Sequence, residues 1–190
     1  MKKTVLVCGI YLAAATAVFA QATSVSDNAK GPKGGPKNVS EKLDGYQEDP
    51  LALSTSGRGE FEGRISNDGT KFAYELKYRD LEGDVAQAHI HLGGHSQSGG
   101  IIVFLCTNSG NGPGGTQLCP PDPATITGVI EADDIIGPAG QGIAAMEFGE
   151  FLRALRADST YVNVHTSLHP GGEIRANIGG PGGKGHKDDD

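Results

Sequence analysis

Phe72-Ala73-Tyr74-Glu75-Leu76-Lys77-Tyr78 alternates strictly between large apolar side chains and small or charged ones. Phe72, Tyr74, Leu76 and Tyr78 fall on one side of an extended chain, with Ala73, Glu75 and Lys77 on the other, which is the signature of a half-buried β-strand. Before it, the turn Asn67-Asp68-Gly69 closes a preceding strand within Leu51–Ile65. After it, strands are expected at Val85–Leu92, Ile101–Leu105, Thr125–Ile130, Tyr161–His165 and Glu173–Ile178. A helix interrupts them at Met146–Ala157, where Phe148, Phe151, Leu152 and Leu155 recur at helical spacing. Short strands, 30 glycines and no tryptophan predict a mainly β protein, an antiparallel sandwich or barrel carrying one short helix.

The ends read differently. Lys2 and Lys3 precede an apolar run from Val5 to Phe19, followed by small-residue cleavage sites at Val18-Phe19-Ala20 and Ala20-Gln21-Ala22. That pattern predicts a signal peptide over 1–20 and a secreted or periplasmic mature chain, because the run is shorter than the roughly 20 apolar residues a membrane helix needs. Residues 21–50 are polar without periodicity and are expected to form a flexible linker before a domain at 51–178. The stretch 179–190, Gly-rich and closing on three aspartates, is expected to be a disordered tail, with His186 in solvent. The chain carries 16 basic and 23 acidic residues, and losing Lys2 and Lys3 makes the balance 14 − 23 = −9. Such an acidic chain, without a basic stripe, is a poor partner for nucleic acid or anionic lipid.

In an oxidising compartment Cys106 and Cys119, flanking a Gly/Asn/Pro-rich loop, are expected to pair as a disulfide; the close spacing of a redox or thiolate metal pair is missing. Five of the six histidines lie in two short segments, Ala88-His89-Ile90-His91-Leu92-Gly93-Gly94-His95 and Tyr161-Val162-Asn163-Val164-His165-Thr166-Ser167-Leu168-His169. Alternation puts His89 and His91 on one face of their strand and Tyr161, Asn163 and His165 on the corresponding face of theirs. If the strands are neighbours, His89, His91 and His165 converge, and His169 can swing in from the following turn. Neutral imidazoles without thiolate or carboxylate suit Cu(II), with Zn as the alternative. The competing reading is an exposed or hydrogen-bonded histidine pair. Asn163 is expected to hold a ring nitrogen or to bond across strands. Glu173 and Arg175 share a strand face and are expected to form an ion pair that orients the histidine strand.

The motifs Ala88-His89-Ile90-His91-Leu92-Gly93, the apolar Ile101–Leu105, Tyr161-Val162-Asn163-Val164-His165-Thr166 and His169-Pro170-Gly171-Gly172-Glu173-Ile174-Arg175 together resemble the chordin-type (CHRD) domain over roughly Leu51–Ile178. The resemblance implies a β fold found in bacterial exported proteins and, repeated, in the animal extracellular protein chordin. A weaker similarity is to copper/zinc superoxide dismutases, which also carry a His-x-His strand outside a β-barrel and a Gly-rich segment with an arginine, here Gly171-Gly172-Glu173-Ile174-Arg175. The chain departs from them in having no bridging histidine with a zinc-ligand aspartate, and in the placement of its cysteines. The architecture is thus expected to be superoxide-dismutase-like or immunoglobulin-like.

Three functions follow as expectations. One is an exported domain that binds copper through His89, His91, His165 and His169. Another is a non-catalytic extracellular module whose loops contact a protein partner. The third is a copper-only superoxide dismutase-like enzyme with Arg175 steering the anion.

Overall fold

The computed structural model describes residues 37–180. The expected signal peptide, residues 21–36 of the expected linker, and 181–190 of the expected tail with His186 lie outside them. Eight strands run β1 Asn38–Asp44, β2 Arg58–Ile65, β3 Phe72–Arg79, β4 Val85–Leu92, β5 Ile101–Thr107, β6 Ala124–Ile130, β7 Thr160–Thr166 and β8 Ile174–Ile178, with helix α1 at Phe148–Arg156. They form one antiparallel sheet in the order β5-β4-β7-β8-β1-β2-β3-β6, curled into a nearly closed barrel. The fold is mainly β with one α-helix among the described residues, as the alternation predicts.

The linker boundary needs correcting. Residues 38–44 are a strand, seated between β8 and β2, and the register Glu41↔Phe61 carries β1 along the full length of β2. Only Val39 and Leu43 of β1 are buried apolar residues, and Glu41 stands between them. Alternation broken at its centre gives too little hydrophobic period to read as a strand.

The barrel interior collects the residues that alternation pointed inward. Phe61 stacks against Phe72 and Tyr74 at centroid distances of 6.3 and 6.2 Å, and Phe151 of α1 meets Phe72 edge-on at 5.6 Å. Phe148, Phe151, Leu152 and Leu155 are all buried, so the helix caps one end of the barrel with the apolar stripe its spacing predicted. Gly63 of β2 is a close-approach glycine, since a Cβ there would overlap the Phe72 ring.

The edge strands β5 and β6 leave a seam that side chains bridge. Gln117 Nε2 donates to Leu105 O of β5 (3.0 Å) and to Thr127 O of β6 (3.2 Å), and the Tyr74 hydroxyl donates to Leu105 O (3.3 Å). A disulfide joins Cys106 to Cys119, as expected, across a sequence separation of 13. It fastens the loop bearing Gln117 to the end of β5.

Candidate metal centre

Neighbouring positions of β4 and β7 in the sheet bring the two histidine segments together, with His89 opposite Asn163, His91 opposite Tyr161 and Gln87 opposite His165. The inward faces are apolar: Ala88, Ile90, Val162 and Val164 are each 0% exposed. His89, His91, Tyr161, Asn163 and His165 therefore stand on the outer face, where the alternation put them. That face is nevertheless covered. His89 is 3% and His91 8% exposed, because the 93–100 loop and the Phe104 side chain overlie the sheet here. On the other side of β4 the pairing with β5 slips at both histidines, leaving Leu105 and Ile102 of β5 without opposite partners. Such bulges bend a strand and re-aim its side chains, and here they set Phe104 opposite His89, its ring edge-on to the imidazole at 4.3 Å.

The three rings converge. One ligand-capable atom from each of His89, His91 and His165 lies within 4.8 Å of the other two. His89 Nδ1 and His165 Nε2 are 3.2 Å apart. Two imidazole nitrogens on one ion, each about 2.0 Å from it, would sit roughly 2.8–3.5 Å apart for bond angles of about 90–120°. This pair already has that separation, and the third ring needs only a small inward shift.

Backbone carbonyls fix the tautomers. His91 Nδ1 donates to Gly99 O (3.0 Å) and His165 Nδ1 donates to Pro170 O (3.1 Å). Each proton is thereby held on Nδ1, an arrangement that metal-ligating histidines commonly use; the Nε2 lone pair of His165 accepts from His89 Nδ1, and that of His91 has no partner. His91 Nε2 and His89 Nε2 are buried with no hydrogen-bond partner, a costly state for an atom removed from water. Burial first, then the neighbouring imidazoles, drives His89 down to about 2, and burial drives His91 down to about 4 and lowers His165. All three rings are neutral at pH 7, the form that binds a metal.

The other predicted residues are placed as follows. His169 does not join the cluster: its Nε2 meets Glu82 Oε2 at 3.3 Å, because the turn after β7 carries it over the Leu81–Asp84 segment. His95 is exposed against Asp158. Asn163 spans strands rather than holding a ring nitrogen, donating through Nδ2 to Glu48 Oε1 (2.6 Å) and Ile174 O (3.1 Å). The expected Glu173–Arg175 pair does not form. Gly172, at φ +136°, breaks the alternation just before β8 and sends Glu173 toward the barrel end. There its carboxylate is 0% exposed and accepts from Thr55 Oγ1 (2.8 Å), the Glu82 amide (2.7 Å) and Thr166 Oγ1 (2.7 Å). Arg175 is 1% exposed; its guanidinium lies 3.6 Å over the Tyr161 ring and donates through Nη2 to Gly94 O and Gln97 O, both 2.9 Å. An anion approaching from solvent finds no exposed cation in Arg175.

Several participants escaped the sequence reading. Tyr161 stacks flat on His91 (4.7 Å, 3°) and its hydroxyl accepts from the Gly99 amide at 3.1 Å. Its outward parity with Asn163 and His165 was the available signal. Phe104 carried no such signal, since a bulge in β5 decides where it points. Glu48 comes from the presumed linker; burial foremost raises its carboxyl to about 7, against the Asn163 hydrogen bond and Arg175.

The family model for the CHRD domain matches residues 39–178, from the second residue of β1 to the last of β8. No curated protein and no solved structure matches the chain.

Proposed function

The chain belongs to the CHRD-domain family, and from that premise we propose that it is an extracytoplasmic domain binding a late transition metal, copper foremost, through His89, His91 and His165. The observation that carries this reading is the convergence of one ring nitrogen from each of three neutral imidazoles within 4.8 Å, beside the buried, partnerless Nε2 of His91. An all-imidazole set suits copper, with zinc as the alternative, and rules against calcium or magnesium, which take oxygen ligands. The disulfide fits an oxidising compartment, and no helix among the described residues is long and apolar enough to cross a membrane. Family membership alone is equally consistent with a non-catalytic extracellular module; the convergent, buried imidazoles are what favour the metal.

The test is elemental analysis of purified protein equilibrated against limiting copper or zinc, with and without reductant. One ion per chain is expected, lost at least about a hundredfold in affinity in His91→Ala and His165→Ala and unchanged in His169→Ala. Absence of stoichiometric uptake of any metal would leave the interaction module as the reading.

A further inference from the structure

Resting on the copper reading, we infer that this centre holds cuprous rather than cupric ion, so that the domain is a Cu(I) carrier. Among the described residues, His89, His91 and His165 are the one cluster of metal-ligating side chains close enough to share an ion. Three other potential donors are engaged elsewhere: His169 with Glu82, Glu48 with Asn163, and the Tyr161 hydroxyl with the Gly99 backbone. Cu(II) favours tetragonal sets of four or more nitrogen and oxygen donors. A filled d-shell imposes no such preference on Cu(I), for which three nitrogens suffice.

Charge points the same way. The desolvation cost of an ion rises with the square of its charge, and His89 and His91 are almost wholly removed from water. No carboxylate joins the ligand set to offset a second positive charge. A buried cation stands close by: the Arg175 guanidinium lies on the Tyr161 ring, which in turn stacks on His91. Among the described residues Arg175 has no carboxylate within salt-bridge distance, its Nη2 going to carbonyl oxygens and its Nε having no partner. A monovalent ion in a neutral, desolvated, three-nitrogen cup beside a buried cation is opposed less than a divalent one. Phe104, edge-on to His89, adds an apolar wall where a fourth ligand would otherwise enter.

Competition titrations on the purified protein decide it: anaerobic Cu(I) against bicinchoninate, and Cu(II) against glycine. Cu(I) is expected to bind at least about a hundredfold more tightly than Cu(II), equivalent to a reduction potential about 120 mV above that of the aqueous couple. Phe104→His, which offers a fourth imidazole beside His89, is expected to narrow that ratio at least about tenfold, or about 59 mV. Arg175→Gln is expected to narrow it in the same direction, and circular dichroism establishes whether that variant folds. Cu(II) affinity equal to or above that for Cu(I) in the parent chain overturns the inference while leaving copper binding intact. Uptake of neither ion sinks the copper reading itself. An unchanged ratio in a folded Phe104→His variant also counts against the cuprous site.

Discussion

His91 donates Nδ1–H to a backbone carbonyl, and that one bond selects the nitrogen left free for an ion. The same burial that frees it makes the apo-protein acid-sensitive. With His89 down at about 2 and His91 at about 4, the folded state takes up protons only well below the ordinary histidine value of about 6.5. The unfolded chain binds those protons first, so the stability is intact above about pH 6.5 and drains away as pH falls toward 4. Urea titrations of the metal-free Glu48→Gln variant, which removes an opposing carboxyl titration, should lose at least about 2 kcal/mol between pH 7 and pH 5, and a flat profile would contradict neutral buried rings. Glu48 runs the other way. Its carboxyl, raised to about 7 mainly by burial, favours the fold below the ordinary carboxyl range and loses that contribution as pH climbs through 7. Glu48→Gln keeps an acceptor for Asn163 and removes the buried charge, so it should stabilise the protein on the order of 2 kcal/mol at pH 8 and hardly at all at pH 4.

Among the elements, β3 and the β4–β7 pair behave as their sequences require, and β5 does not. Alternation in β3 is strict, with Phe72, Tyr74, Leu76 and Tyr78 all buried, and no side-chain contact beyond the strand was needed to orient it. In β5 two residues lack opposite partners in β4, so the parity of its side chains changes along its length. That slip is a property of the pairing, invisible in Ile101–Thr107 alone. The loop following β5 depends on the disulfide. Replacing Cys106 and Cys119 by serine should cost about 3 kcal/mol, the chain-entropy value for a loop of roughly this size. It should also loosen the Gln117 bridge between β5 and β6; hydrogen exchange at the Thr107 amide, which donates to Gln117 O at 3.0 Å, would report that loosening, and unchanged protection there would refute it.

At the scale of the molecule, the sheet closes only because β1 fills the place between β8 and β2. Its hold on β8 is slight, a single pairing of Asp44 with Arg175, reinforced by the Glu48–Asn163 bond just beyond it. Closing the barrel there brings Glu48 to the polar face that carries the histidines. A chain beginning at residue 51 should therefore unfold at markedly lower temperature and with reduced cooperativity by circular dichroism, since it exposes the edges of β2 and β8 and removes the buried Val39 and Leu43 from the core. A transition as sharp and as high as that of the longer chain would mean that β1 is dispensable.

The sequence by itself determined the β class, seven of the eight strands, the helix with its buried stripe, the cysteine pair and the common face of His89, His91 and His165. These follow from local periodicity and spacing, which survive in any single strand or helix. Only the tertiary structure decided the rest. It paired β4 with β7, turned Glu173 away from Arg175 at a left-handed glycine, sent His169 to Glu82, and drew β1 and Glu48 out of a segment with no period. It also covered the outer face, so that residues of polar pattern became buried ones. Those outcomes depend on strand order, bulges and loop packing, which are set by contacts between segments far apart in the chain, and no local pattern records them.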